Sequence, residues 1–215
     1  MPLPLLANTI SQSSKGTYDD IIIKAQKFNY DKKLNIIIAE KNVEFDDTQQ
    51  DIKIFSNKII YKKNLEEVYS KGFTEAIIEK KYNFSSIDVL LNRDNSELSS
   101  SHKTNINDDN YNFYELDEFK YFRNKDLLKG KNVKITTNKE LKDKPSDKYF
   151  FLEGFFNLKN KEFLASKTKI HLDKNIFDNK DNDPRLYGTS SSRENDITKI
   201  KKGIFTSCKK NDKCP

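Results

Sequence analysis

The sequence has two histidines and two cysteines, residue types that often bind metals or carry out acid–base and redox chemistry. His102 lies in a serine-rich stretch and His171 on an alternating segment, and neither has a carboxylate or cysteine at ligand spacing. Cys208 and Cys214 stand in CKKNDKC, which supplies at most half of the ligands of a tetrahedral zinc site. The sequence therefore predicts no metal site, no cofactor and no catalytic residue, and we expect that the protein is not an enzyme.

The composition favours strands and a mixed, solvated surface. With 15 Phe and 10 Tyr, the apolar content is concentrated in aromatic residues and Ile, which are enriched in strands. The 39 basic and 33 acidic residues alternate locally and give a net charge of +6 without one basic block. Lysines interleaved with aromatics also occur in single-strand nucleic-acid sites, but here the lysines fall in turns. We therefore expect no nucleic-acid partner.

The first residues carry a weak export signature. MPLPLLANTIS has an apolar patch and a small residue, Ala7, but no basic region before it. We expect residues 1–19 to be a signal remnant or a disordered N-terminus. No run in the sequence approaches the roughly 18 apolar residues that a membrane-spanning helix needs.

A repeat of about 30 residues is the main organising feature. Each copy begins at an aromatic or apolar residue and ends at an apolar residue 12 or 13 positions later. The pairs are Tyr30 with Val43, Tyr61 with Phe73, Tyr121 with Val133 and Leu158 with Ile170, and a weaker copy centres on Leu91. A polar insertion, KELKDKPSD, precedes the last copy.

The alternation inside each copy predicts two short strands joined by a corner. In the first copy Leu34, Ile36 and Ile38 alternate, then Val43 and Phe45, so the parity changes between Ile38 and Val43. No window sustains helical spacing over more than about ten residues. The sequence therefore predicts an all-β protein: a β-jellyroll, or β-taco, of stacked repeats in two facing antiparallel sheets.

The repeat positions define a predicted interior and a predicted sheet edge. The interior set either shelters a ligand or simply packs into a closed core. It consists of Phe28, Tyr30, Ile36, Ile38, Val43, Ile59, Tyr61, Phe73, Phe119, Tyr121, Val133 and Leu158. The apolar segment with Ile21, Ile22, Ile23 and Ala25 is predicted to be an unpaired edge strand, which a partner strand could extend.

The first copy resembles the repeat of the OstA family. Its matching residues are Ala25, Phe28, Tyr30, Asp31, Ala39, Asn42 and Val43, whereas Lys41 replaces the usual glycine. The segments DPRLYGTSSS from Asp183 and KKGIFTSCKKNDKCP from Lys201 are similar to the junction before the barrel in the LptD family of outer-membrane lipopolysaccharide-assembly proteins. The resemblance covers about residues 20 to 215.

This resemblance implies a function in lipopolysaccharide transport. Residues 20–180 would form an OstA-like β-roll in the periplasm, and residues 181–215 a junction towards a barrel in the outer membrane. The roll would shelter acyl chains, since five stacked strands span roughly 24 Å and a lipid tail reaches roughly 15 Å. The implied partners are lipopolysaccharide, a homologous OstA-type bridge protein added at Ile21–Ala25, the barrel domain and its plug lipoprotein.

The cysteines and two alternatives complete these expectations. The resemblance implies that Cys208 pairs with a cysteine beyond Pro215, while residues 1–215 alone would have two free thiols or a Cys208–Cys214 bond. One alternative is a soluble OstA-type bridge protein that needs no barrel. The other is a structural β-solenoid, such as an adhesin fragment, with a closed core that binds nothing.

Overall fold

The computed structural model describes residues 14–18, 20–141, 143–177 and 182–209. Within these ranges the regular structure is β-strand and short 3-10 helix, and no described helix is long and apolar enough to cross a membrane. The strands are β1 Ser14–Tyr18, β2 Ile21–Ala25, β3 Lys27–Asp31, β4 Ile36–Asp47, β5 Ile52–Lys62, β6 Glu67–Ile78, β7 Tyr82–Ile87, β8 Leu90–Asn92, β9 Glu97–Ser100, β10 Thr104–Asn107, β11 Phe113–Leu116, β12 Glu118–Phe122, β13 Leu127–Thr136, β14 Lys148–Asn157, β15 Glu162–His171, β16 Arg185–Glu194, β17 Ile197–Lys201 and β18 Ile204–Thr206. The 3-10 helices are Lys63–Leu65, Arg123–Lys125 and Lys174–Phe177.

Every recorded strand pair is antiparallel, and successive copies of the repeat stack side by side. A long strand such as β4 or β5 crosses a corner in its middle, where the register of the β4–β5 ladder shifts between Glu40 and Val43. In the central copies the chain breaks at the corner instead, and β7 and β8 pair with opposite ends of β6. The predicted all-β architecture of two facing antiparallel layers is confirmed.

Two rows of turns border the folded sheet. One row lies at the far end of the first layer, and we call it the first turn edge. Each copy contributes a residue with positive φ to it: Asn35, Glu66, Ser96, Asp126 and Lys161. A backbone hydrogen bond joins each turn to the next copy. These bonds, 2.9–3.1 Å long, run from Lys63 N–H to Asn35 O, from Arg93 N–H to Glu66 O, from Arg123 N–H to Ser96 O and from Leu158 N–H to Asp126 O. Lys63, Arg93, Arg123 and Leu158 are therefore structurally equivalent positions.

The opposite row, the second turn edge, closes the far end of the second layer. It includes the turns at Asp51, Glu79, Tyr111 and Asn138, which also have positive φ. Because each strand bends back at its corner, the two turn edges face one another across the open side of the roll. We call the line along which they meet the seam.

The space between the layers is an apolar core. Phe84 of the second layer packs against Phe119 and Tyr121 of the first layer, with ring centroids 5.2 and 5.4 Å apart. The predicted inward positions that the structure buries, each at most 4% exposed, are Val43, Ile59, Tyr61, Phe119, Tyr121, Val133 and Leu158. Phe28 is half-buried against this core. A lipid-binding role for these residues stays a prediction.

Three predicted inward residues do not point into the core. In the first half of β4, Ala39 is buried and Ile37 packs against the core, so Ile36 and Ile38 lie on the other face. Phe73 of β6 is 63% exposed, whereas the next residue, Thr74, is fully buried. The predicted change of parity at the corner was wrong. The corners of β4 and β6 each have three outward residues in a row, so the inward residues keep the same parity on both sides of the corner.

Tyr30 differs from the later tyrosines of the repeat. It pairs with Ile37 in the β3–β4 ladder, which places the two side chains on the same face. Nevertheless its side chain is 47% exposed, because β4 is the one strand that pairs with β3 among the residues that the structure describes. Tyr30 therefore shares the inward face with Ile37 but is not part of the closed core.

The predicted free edge at Ile21–Ala25 is also wrong. β2 pairs with β1 over Ser14–Tyr18 on one side and with β4 on the other. Ile21, Ile23 and Ala25 are buried and Ile22 is half-buried. The sequence of β1, SKGTY, has no apolar alternation, so sequence reasoning does not predict the strand that covers this edge.

The region expected to be a junction continues the same sheet. β16 pairs with β15 from Phe163 to His171, and both β17 and β18 pair with β16. The repeat stack therefore extends beyond residue 180. A role of residues 181–215 in leading to a further domain stays a prediction.

Candidate functional site

The tyrosines of the repeat hold the turns of the first turn edge. The Tyr61 hydroxyl donates to the Glu66 carboxylate at 3.1 Å, and the Tyr121 hydroxyl donates to Asp126 at 3.3 Å. Burial, together with the nearby carboxylates, raises the pKa of both phenols above the usual range, so they stay protonated donors. Their recurrence in the sequence therefore has a structural cause, whether or not a ligand enters the roll.

An arginine closes the seam in the region of the second and third copies. Arg93 Nε donates to Asp47 Oδ2 at 2.6 Å, and Arg93 also forms an ion pair with Glu66. Gln50 Nε2 donates to the Arg93 carbonyl at 2.8 Å. Arg93 and Glu66 belong to the first turn edge, whereas Asp47 and Gln50 belong to the second. These contacts form a latch across the seam.

The charges of this latch are out of solvent and therefore depend on each other. The Asp47 side chain is fully buried and that of Arg93 is 12% exposed. Burial alone would lower the pKa of Arg93, but the hydrogen bond to Asp47 and the charges of Asp47 and Glu66 outweigh it and raise the pKa. A buried carboxylate that loses its cation costs several kcal/mol, so the latch is strong as a pair and fragile to single changes.

A weaker latch repeats the arrangement one copy further on. Arg123, at the position equivalent to Arg93, pairs with Glu79 of the second turn edge at 3.4 Å. Both side chains keep about a quarter of their surface in solvent, so the pair contributes less than the first latch. Just inside it, the Tyr82 and Tyr121 rings lie 6.0 Å apart and bring the two edges together.

The next equivalent position carries Leu158, which has no charge to bridge the seam. A pocket of about 290 Å³ opens there between the two turn edges. We call it the seam pocket. Its apolar wall consists of Tyr114, Ile135, Tyr149, Phe156, Leu158 and Phe163. Its polar rim consists of Asn112, Thr137, Asn138, Pro145, Asp147, Asn157, Lys161, Glu162 and Arg193.

The wall of the seam pocket is a continuous aromatic cluster. The Phe163 ring lies 6.3 Å from Tyr149 and 6.1 Å from Phe156. Burial and the neighbouring Asp147 raise the pKa of Tyr149, and burial with the neighbouring Asp108 raises that of Tyr114. Both phenols therefore remain neutral, and the wall carries no charge. Such a pocket can take a slender apolar chain while the polar end of the ligand stays at the rim.

Sequence reasoning found one residue of this pocket and missed the rest of its wall. Leu158 is in the predicted interior set. The true counterpart of Tyr121 is Phe156, because each of these residues lies five positions before a left-handed turn residue, Asp126 and Lys161 respectively. The polar insertion shifts the last copy along the sequence. Leu158, the residue selected by the expected spacing, therefore lies two positions after Phe156. An aromatic residue five positions before a left-handed turn is the signal that could have identified Phe156.

The histidines and cysteines form no recognisable site in the described residues. The His171 ring meets Phe150 edge to face with the ring centroids 5.5 Å apart, and burial together with Lys169 lowers the pKa of His171. Across the described ranges, no group of three or more His, Cys, Asp or Glu side chains could hold a metal ion. Cys208 is disulfide-bonded and its carbonyl accepts from the fully buried Arg185 at 3.2 Å. Cys214 lies outside the described residues, and the predicted pairing beyond Pro215 stays a prediction.

The fold and the pocket together define the protein as a β-roll of repeats whose seam is latched along one part and opens into an apolar pocket along another. No protein-family model matches the chain, and no curated protein matches it. Among solved structures, the chain is similar to LptH of Pseudomonas aeruginosa, described as the LptA homologous periplasmic component of the lipopolysaccharide transport device. The match has 14% identity and a TM-score of 0.29, and covers 68% of this chain and 81% of that chain. At this TM-score the likeness carries no argument about function.

Proposed function

We propose that the chain is an OstA-type periplasmic carrier that binds one acyl chain of lipopolysaccharide in the seam pocket. The observation that supports this proposal is the pocket itself, which has an uncharged aromatic wall and opens between two polar turn edges. An eight-carbon chain leaving water would gain about 6 kcal/mol at about 0.8 kcal/mol per methylene, before the cost of immobilisation. Binding and release need no covalent chemistry.

In the fuller form of the proposal the chain acts next to the outer membrane. It receives lipopolysaccharide from an OstA-type bridge protein and passes it to an LptD-type barrel with its plug lipoprotein. The supports are the DPRLYG and FTSC segments. Since β1 covers β2, strand addition at the N-terminal end would use β1 or β3 rather than Ile21–Ala25. A soluble bridge protein without a barrel would use the same pocket.

The closed core of the latched part supports a second candidate, a structural β-solenoid that binds nothing. There the protein's own side chains fill the space between the layers, and Phe45, Tyr61, Phe84, Leu91 and Tyr121 are fully buried. The two candidates differ in one respect that can be measured, because a purely structural roll would leave the seam pocket empty at any ligand concentration.

A single tryptophan distinguishes the candidates, since the sequence contains none. Phe163→Trp places the reporter in the pocket wall, and Phe155→Trp places a matched control on the outer face of β14, where Phe155 is 43% exposed. Octyl glucoside, titrated below its micelle concentration, should shift the emission of the Phe163→Trp variant to shorter wavelength in a saturable way. The Phe155→Trp variant should not respond. An unchanged Phe163→Trp spectrum would refute lipid carriage and favour the structural solenoid.

A further inference from the structure

A second pocket adjoins the seam pocket at the second turn edge. Its volume is about 220 Å³, and its lining is polar: Asp109, Asn110, Tyr111, Asn112, Asn138, Leu141, Lys144 and Lys161. We call it the polar pocket. Asn112, Asn138 and Lys161 line both pockets, so the two cavities meet along this shared wall. A ligand with one apolar and one polar part could therefore occupy both at once.

The amides of the shared wall are held in place by other groups. Asn112 is 8% exposed, its Nδ2 donates to Asp108 Oδ2 at 2.8 Å, and its Oδ1 accepts from the Asn138 backbone N–H at 3.3 Å. Asn138 Nδ2 donates to the Pro145 carbonyl at 2.8 Å. A rigid wall of this kind loses little conformational entropy when a ligand binds.

The remaining groups indicate what the polar pocket would bind. Asn110 adds an amide and Tyr111, half-exposed, adds an aromatic face, and both suit the hydroxyls and ring of a sugar. Lys144 and Lys161 are exposed and cationic, whereas Asp109 is the one carboxylate of the lining and accepts from Asn110 Nδ2 at 2.8 Å. Behind the lining, the buried Asp108 is occupied by donors from Asn110, Asn112 and Tyr114. The charged groups that the lining itself offers a ligand are therefore two cations and one carboxylate, which favours an anionic group.

We infer that the two pockets form one site for an amphiphile, with an acyl chain in the seam pocket and a phosphorylated sugar in the polar pocket. The inference rests on the proposed function, because it assigns the head group of the same ligand. Lys144 and Lys161 contact the phosphate, and the asparagines and Tyr111 contact the sugar. The head group thereby sets which lipids the pocket accepts, while the acyl chain supplies most of the affinity.

The test compares two probes that share one alkyl chain, octyl glucoside and its phosphorylated derivative, with the Phe163→Trp emission as the readout. The phosphorylated probe should bind about tenfold more tightly, as expected for one additional charge-assisted contact. In a Lys144→Gln, Lys161→Gln variant the two probes should bind with equal affinity. A control pair, Lys120→Gln and Lys129→Gln, removes the same charge from a groove at the corner of the roll and should keep the advantage.

The outcomes separate this inference from the proposed function. If octyl glucoside binds but phosphorylation gives no advantage, or if the advantage survives the loss of both pocket lysines, the head-group assignment is wrong and the acyl site stands. If neither probe binds to the unaltered pocket, both proposals are overturned.

Discussion

The latched and open parts of the seam share one turn geometry and differ in the side chain that it presents. Arg93 and Leu158 occupy equivalent positions, since each donates its backbone N–H to the carbonyl of the preceding turn. The arginine reaches across to a buried aspartate, whereas the leucine leaves a pocket beside it. A repeat can therefore keep its backbone unchanged and switch between a sealed and an accessible interior through one residue per copy.

The largest expected effect comes from removing the first latch. Arg93→Met should lower the free energy of unfolding by about 3–5 kcal/mol, because Asp47 would stay buried without its cation. Urea unfolding followed by circular dichroism measures this change. Adding Asp47→Asn should recover part of the loss, since the neutral amide no longer needs a cation. A loss below about 1 kcal/mol in the single variant would mean that the latch does not close the seam.

The second largest effect is expected at high pH, which should lower the free energy of unfolding through Tyr82 of the latched part. Burial and nearby carboxylates, Asp126 first among them, raise the pKa of Tyr82 to about 12. The folded state therefore favours the neutral phenol, so its contribution is complete below pH of about 10 and is lost as the pH rises through about 12. The loss approaches about 3 kcal/mol. Urea midpoints at pH of about 8 and 11 should fall less for Tyr82→Phe than for the unaltered protein, and equal falls would contradict the assignment.

Converting the open part into a latched one should block the pocket. Leu158→Arg places a guanidinium at the position that Arg93 occupies in its own copy, and it should weaken binding of octyl glucoside by at least about tenfold. Leu164→Arg is the matched control, because Leu164 is 61% exposed and lies outside the pocket lining. Circular dichroism shows whether both variants fold. Unchanged binding to a folded Leu158→Arg variant would show that the ligand enters elsewhere.

The smallest effect is expected at the second latch. Arg123→Met should cost at most about 1 kcal/mol, since the ion pair with Glu79 is partly solvated. The same urea experiment used for Arg93→Met measures it. A cost as large as that of Arg93→Met would remove the distinction between a buried and a peripheral latch.

The sequence predicts the layers of this fold better than the details of its site. Alternation and the recurring tyrosines identify strands, corners and most of the core, because burial on one face leaves a direct trace in residue type. Ile38 and Phe73 were misplaced because the number of outward residues at a corner depends on backbone conformation, such as the φ of +81° at Gly72, rather than on hydrophobicity. The latches and the seam pocket could not be predicted, since Arg93 and Asp47 meet only once the two edges face each other.

The backbone hydrogen bonds between the turns of neighbouring copies distinguish the turns that must keep their conformation from the loop residues that can vary. Eleven residues, 137–147, connect β13 to β14, whereas four residues, 48–51, connect β4 to β5. The longer connection lies at the second turn edge, where Lys139 N–H still donates to the Tyr111 carbonyl of the preceding turn at 2.9 Å, and it supplies Asn138 and Lys144 to the polar pocket. Natural selection can therefore lengthen or rewrite the part of this loop beyond Lys139 and change the proposed ligand preference, while the stacking of the copies is preserved.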